Sequence, residues 1–540
     1  MFHAIILLRN DLIIQTALNT LLRGQSLRWN FVANVTGRLW SGVLSLATVP
    51  IFVHLLGTSA FGIISLVGTL QAILALLDFG LAGTANREVA MARASRNQCQ
   101  IADTIRTFEL IYWTVALVIG FGFAGLSNWI ANYWIAKQSL PPAEIQMAII
   151  LGGSALAARW PVALYTGVLQ GLERQVTQNM ILLLAATIRV VLTIAALVFA
   201  SRTIYCFLIA QASANIIEVI LTGYIARRLA TGGDKGRFDL AIVRRVWRFA
   251  VGFNLVGTFG MLVSGAPQLL ISKLLPLVNL TYYSIASTAT GALLMVSLAA
   301  QTSLLPRLSF LWKQQDLHEI RRLCLAVQKL TVYLCVAPTM VLCLFPAQVL
   351  SLWTRSPEVV QHAQPLLPIL AFAVLVNCAL GASYNVVIAS GHTRLPLMVN
   401  AISLPPMVGG CLLTIRAFGI CGAAWCWLAF NLLCFVVYGR YCVTRIFRTG
   451  EGQFLYGFPL QFAFIGFGLS AISRLLLPIS LGNSVLAVWL FTTMVLTYLA
   501  GVLTLKREER RIIAGVLKQY GLQVRALICR ILVGPARVAL

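Results

Sequence analysis

Apolar stretches of about 20 residues, each bounded by charges, prolines or glycines, recur along nearly the whole chain. That is the length an α-helix needs to cross the hydrocarbon core of a bilayer. Fourteen such segments are read, the first six near 34–55, 60–81, 108–126, 145–168, 179–200 and 204–226. A second six lie near 249–272, 281–305, 330–350, 366–390, 397–415 and 420–443, and two more near 457–477 and 484–505. The pattern predicts an all-α polytopic membrane protein. Pro50, Pro161, Pro267 and Pro338 fall inside these segments and predict kinks, because proline removes an intrahelical hydrogen bond.

Sequence similarity recurs within the chain at a spacing of about 220 residues. Tyr165…Gly171-Leu172-Glu173-Arg174 before the fifth segment matches Tyr384…Gly391-His392-Thr393-Arg394 before the eleventh. Pro50-Ile51…Leu55-Leu56…Ser65…Arg87 lines up with Pro267-Gln268…Leu274-Leu275…Ser284…Arg307. Six segments separate matched elements, so both copies share one topology. The expected architecture is two six-helix bundles related by a pseudo-two-fold axis along the membrane normal, plus two extra C-terminal helices. The corresponding domain plan is an N-lobe at 29–226, a basic cytoplasmic linker at 227–248, a C-lobe at 249–443, the last two spans at 457–505 and a basic cytoplasmic tail at 506–540. Residues 1–28 hold an apolar run broken by Arg9, Asn10 and Asp11 with no small-residue cleavage site. They read as an interfacial segment, or a start placed too far upstream, rather than a signal peptide.

Composition agrees, with 59% hydrophobic and 11% charged residues among 540, against about 25% charged in soluble domains. The formal net charge of +25 would raise nucleic-acid binding in a soluble protein. Here it follows from orientation, since Lys and Arg collect in cytoplasmic loops. With the N-terminus inside, 32 of the 41 Lys and Arg fall in inner loops and the tail, 6 in outer loops and 3 within segments. Both termini are therefore expected in the cytoplasm. Residues 88–106 and 307–329 are amphipathic and are expected along the inner interface. The twelve cysteines and five histidines show no metal-ligand spacing, which argues against a metalloenzyme, and no Gly-x-x-x-x-Gly-Lys motif is present for ATP.

The three basic residues inside apolar segments are Arg38, Arg159 and Arg189. A mid-helix Arg costs about 2.5–3.5 kcal/mol on insertion scales, so such residues face an interior or an aqueous cavity. Arg159 and Arg189 lie about 12–15 Å from their cytoplasmic helix ends, and Arg38 is the shallowest of the three. The matching parts of the second half carry no Lys, Arg, Asp or Glu. Guanidinium groups suit phosphate oxygens through forked hydrogen bonds, which makes a diphosphate headgroup the expected ligand of a central cavity. Glu218 lies at similar depth, either as counter-ion or as a protonatable coupling group, while Asp78 near the end of the second segment suits capping of a neighbouring helix better than transport.

The run Leu55-Leu56-Gly57-Thr58-Ser59-Ala60-Phe61-Gly62, then Leu77-Asp78-Phe79-Gly80-Leu81 and Arg87-Glu88, resembles the opening of bacterial polysaccharide flippases. These belong to the multidrug/oligosaccharidyl-lipid/polysaccharide exporter superfamily. The resemblance implies a non-enzymatic flippase of the inner membrane for an undecaprenyl-diphosphate-linked oligosaccharide, working by alternating access with H⁺ or Na⁺ coupling beside polymerase and export machinery. Fourteen spans depart from the common twelve and are similar to the lipid II flippase branch. The rival readings are a multidrug exporter of the same superfamily, which would select organic cations, and a membrane-embedded glycosyltransferase or polymerase, which would display a large polar outer loop or a cytoplasmic acidic motif.

Overall fold

The computed structural model describes residues 25–74, 78, 80–95, 97–135, 141–231, 236–244, 255–448, 453–477 and 482–504. Nearly all of residues 1–28 and all of 506–540 lie outside them. In chain order the helices are α1 (Gln25–Leu56), α2 (Thr58–Leu74), α3 (Leu81–Ala94), α4 (Gln98–Trp129), α5 (Pro142–Arg159), α6 (Val162–Gly171), α7 (Gln175–Phe199), α8 (Ile204–Thr231) and α9 (Leu255–Leu274). There follow α10 (Leu277–Lys313), α11 (Leu317–Leu344), α12 (Pro346–Thr354), α13 (Pro357–Ala363), α14 (Leu366–Ala389), α15 (Arg394–Phe418), α16 (Ile420–Tyr441), α17 (Gln453–Leu475) and α18 (Asn483–Thr504). No strand occurs among the described residues.

Where the described residues cover them, the fourteen apolar segments fall on helices. Ten helical stretches are long and apolar enough to cross a bilayer, three shorter apolar ones serve the first, second and thirteenth segments, and α10 covers the eighth. Large apolar side chains such as Phe121, Phe199 and Phe464 are exposed, which water would penalise and lipid does not. The chain is a multi-pass membrane protein.

Proline acts differently from site to site. Helices α1, α9 and α11 continue through Pro50, Pro267 and Pro338, whereas at Pro161 the fourth span divides into α5 and α6. The amphipathic stretches expected along the interface are also divided. Asn97 caps α4 by accepting from Gln100 N at 3.1 Å, and Asp316 caps α11 by accepting from Glu319 N at 3.0 Å. Each stretch is thus the end of one helix, the short α3 or the long α10, and the capped beginning of the next.

The chain divides into two compact units. The first comprises Met1–Met295, Thr354–Val359 and Arg394–Trp427, so that α9 and α15 pack on one another within the same unit as α1–α8. Its core runs from Ala85 and Val89 through Phe108 and Tyr112 to Leu164 and Val168, all but inaccessible to solvent. The linker segment 236–244 lies against the start of α4, with Arg237 N donating to Asp103 at 2.6 Å and Asp239 N to Thr107 at 3.0 Å. The second unit is built on α11 and α14. Helix α14 is buried on nearly every side, and Cys378, Ala379, Gly381, Ala382 and Ser383 allow close backbone approach. The two last helices pack on α11, where Tyr333 stacks on Phe462 at 5.5 Å and the Tyr498 hydroxyl donates to Leu334 O at 2.7 Å.

The internal repeat is visible as a turn. Arg174 N bonds Leu169 O after α6 and His392 N bonds Val387 O after α14, closing the same C-cap with Glu173 and Gly391 at φ 57° and 80°. Glu173, not Gly171, is therefore the partner of Gly391, two residues from the register that the sequence match suggests.

Candidate functional site

The break in the fourth span places the first charged side chain. Pro161 has no amide hydrogen, so α5 ends at Arg159, whose guanidinium sits where the terminal carbonyls make a cation favourable. A discontinuous span inside a helical bundle is tolerated where it lines a cavity. Arg159 and Trp160 line a cavity of about 430 Å³ together with Gln71, Asp78, Thr166 and Gln170.

Helices α7 and α8 pack side by side and bring in the other two charges. Glu218 on α8 is 3% exposed, and one of its oxygens, Oε2, receives both arginines. Arg159 Nε stands 3.3 Å from it and Arg189 Nη2 is in direct contact. Two guanidinium groups thus share one carboxylate oxygen, which leaves one positive charge in excess. Among the described residues Arg189 Nε is buried with no hydrogen-bond partner, and so is the side-chain oxygen of Asn215, whose amide donates to Ala155 O at 2.8 Å. Buried polar atoms normally find a partner, so a pair of orphans here marks a site with spare bonding capacity.

The remaining expected site residues are placed as follows. Asp78 sits in the turn between α2 and α3, which Gly80 makes by adopting φ 75°. Its carboxylate accepts from Ala82 N at 3.2 Å and from the Tyr112 hydroxyl, so it anchors the start of α3 to α4 while facing the cavity that Arg159 lines. Arg38 lies in α1, and α1 packs on α7, where Trp40 Nε1 donates to Thr187 at 3.0 Å, two residues before Arg189. The Arg38 side chain lies outside the described residues. Arg159 and Arg189 are both partnered, because a single acid reaches them.

Two further clusters escape a reading of the sequence. Glu109, 5% exposed, accepts from Arg227 Nε at 2.6 Å and from the Tyr165 hydroxyl at 3.1 Å, with Arg106 at 3.7 Å. The available signal was an acid one residue inside an apolar run, but Tyr165 and Arg227 come from elements 56 and 118 residues away. Glu358 accepts from Thr58 at 3.2 Å and Tyr282 at 2.6 Å, three residues with no common pattern. No cluster of three or more His, Cys, Asp or Glu suited to a metal occurs among the described residues.

Comparison with known proteins bears on the family and the fold. The family described as "Polysaccharide biosynthesis protein" matches residues 27–312, more than half of the chain, and the MatE family matches residues 238–409. A Shigella flexneri protein named "Putative O-antigen transporter" is 19% identical over 400 residues, 74% of this chain and 93% of its own length. Among solved structures, the lipid II flippase MurJ in an inward closed conformation superposes with a TM-score of 0.65 at 12% identity, covering 87% of this chain and 97% of that one. An inward-facing multidrug resistance MATE family transporter of the MOP superfamily gives 0.56 at 12% identity, covering 78% and 96%. The fold is the two-bundle fold of these transporters.

Proposed function

We propose that this chain, which belongs to the polysaccharide biosynthesis protein family, carries a lipid-linked oligosaccharide across the bacterial inner membrane by gripping its diphosphate in the first half of the molecule. It is a transporter of the MOP superfamily rather than an enzyme. The observation that carries the reading is the Arg159–Glu218–Arg189 cluster, in which two guanidiniums share one carboxylate oxygen beside a cavity. The name of the Shigella flexneri relative points to the same class of cargo.

In this reading the cluster works by grip and release. Arg159 is the more exposed of the two arginines and the more loosely held, so a phosphate entering the cavity takes it from Glu218. Arg189 and Glu218 then remain as a neutral pair, and the unpartnered Arg189 Nε offers one more donor. Charge-assisted hydrogen bonds to a forked donor are the strong ones. Phosphate and the Glu218 carboxylate compete for the same cations, so a proton or Na⁺ at Glu218 favours loading and its departure favours release. The excess of Lys and Arg in alternate loops supports both termini in the cytoplasm. Polymerase and export machinery are the expected recipients of the flipped product.

The MatE match keeps one rival, an exporter of organic cations. A cluster with surplus positive charge repels such cargo. The deciding experiment follows lipid-linked glycan in cells carrying Arg159→Ala or Arg189→Ala. Both variants insert normally, lose export and accumulate the glycan on the inner leaflet. Normal glycan export in both, or ethidium efflux that depends on neither arginine, overturns the reading. A pH profile of transport in Glu218→Gln tests coupling, because an unchanged ion dependence removes Glu218 from it.

A further inference from the structure

A second cavity, of about 850 Å³, lies on the other face of α8. Ile216 and Ile220, 47% and 64% exposed, bracket Glu218, which is buried. At about 100° per residue, positions two apart point to opposite sides of a helix. The groove therefore opens away from the paired arginines, on a surface where Trp113 and Tyr224 are exposed as well. Its floor is the Tyr165 ring, which approaches so closely that a Cβ at Gly223 would stand 2.9 Å from it. Such an aromatic and aliphatic trough is open to lipid in a membrane protein.

One end of the trough is strongly basic. Arg227 and Arg228 line it, and Arg106 joins Arg227 on Glu109, so one carboxylate is shared by two guanidiniums and Arg228 adds a third positive charge. Glu109 and the Tyr165 hydroxyl hold the Nε and Nη2 edge of Arg227, at 2.6 Å and 2.9 Å. Its Nη1 has no partner among the described residues. Arg228 bonds only the Tyr224 hydroxyl there, at 3.2 Å. From Ile216 to Arg227 a helix rises about 16 Å, against about 15 Å for the hydrocarbon of one leaflet. This basic end belongs to the side of the chain where Lys and Arg collect.

We propose that the trough binds an anionic phospholipid, its phosphate held by Arg227 and Arg228 and one acyl chain laid along Ile220, Ile216 and Trp113. Basic pockets between membrane helices take anionic headgroups by charge complementarity, and the depth matches a single leaflet. The site stands on geometry independent of the cargo of the transporter. Arg227 is pre-aimed by Glu109 and Tyr165, so little side-chain freedom is lost on binding.

The test uses the full chain in phosphatidylcholine vesicles containing increasing fractions of brominated phosphatidylglycerol, or of brominated phosphatidylcholine. Bromine quenches tryptophan at contact distance, and the Trp113 component is the difference between wild type and Trp113→Phe. Phosphatidylglycerol reaches half-maximal quenching at a lower fraction than phosphatidylcholine. Arg228→Ala raises that fraction about fivefold. Arg228 is exposed and touches no carboxylate among the described residues, so its removal leaves the fold intact; Arg228→Lys restores most of the preference. Coincident curves for the two lipids, or a preference untouched in Arg228→Ala, overturn the proposal. Undecaprenyl diphosphate relieving the quenching better than an equal amount of unbrominated phosphatidylglycerol also overturns it, by assigning the trough to a polyprenyl lipid.

Discussion

The fourth span and its counterpart in the second half, α14, start from similar sequence and end as different devices. The fourth span is cut at Pro161, presents Arg159 at the cut and joins two charged partners, Arg189 and Glu218. Helix α14 runs unbroken from Leu366 to Ala389, and its polar interior is neutral: Asn377 donates to Asn431 at 2.7 Å, and Gln328 donates to Ala379 O at 3.0 Å. The closing turns of both copies keep the same hydrogen bonds. The two copies thus share a closing turn, while the buried charged trio stands in the first half. A charged trio in a bilayer has to face an interior or a polar cavity and pair internally, and amide pairs are under no such demand.

The comparison breaks first at Glu218. In Glu218→Ala two guanidiniums lose their shared acid, and unfolding in dodecyl sulfate mixed micelles shows a loss of about 3–5 kcal/mol, the usual cost of stripping one partner from a buried ion pair. Adding Arg189→Met returns most of that stability without returning transport. Wild-type stability in the single variant would place the trio in water rather than in a cavity. At the turn that faces the same cavity, Tyr112→Phe removes a donor from the Asp78 carboxylate and costs about 1.5–3 kcal/mol by the same measurement. In the second half, the double variant Asn377→Leu, Asn431→Leu costs only about 0.6 kcal/mol, typical of interhelical hydrogen bonds in membranes. A cost as large as that of Glu218→Ala would erase the distinction between the halves.

Much of the fold was legible because lipid imposes a simple code. Apolar runs of spanning length mark helices, and each expected segment falls on one where the described residues cover it. Arg159, Arg189 and Glu218 stood out for the same reason, since a charge in an apolar run is costly. Asp78 was legible as a cap from its place at a span end beside Gly80. Glu109 was missed because a charge at the edge of a run looks like a boundary, and its partners Tyr165 and Arg227 are distant in sequence. The repeat register was misread at Gly171 because glycine in both copies invited a match, while the left-handed turn residue in the first copy is Glu173.

Sequence by itself determined the solvent, the helices and the presence of buried charge, because each is a local sum of transfer energies along the chain. Tertiary structure alone decided that Arg159 and Arg189 converge on one oxygen of Glu218, that Pro161 divides its span while Pro50, Pro267 and Pro338 do not, and that α8 carries a charged face on one side and a lipid-sized trough on the other. Those outcomes depend on which helices become neighbours and at what rotation, and a few ångströms at a charged group outweigh any local preference in a medium of low dielectric.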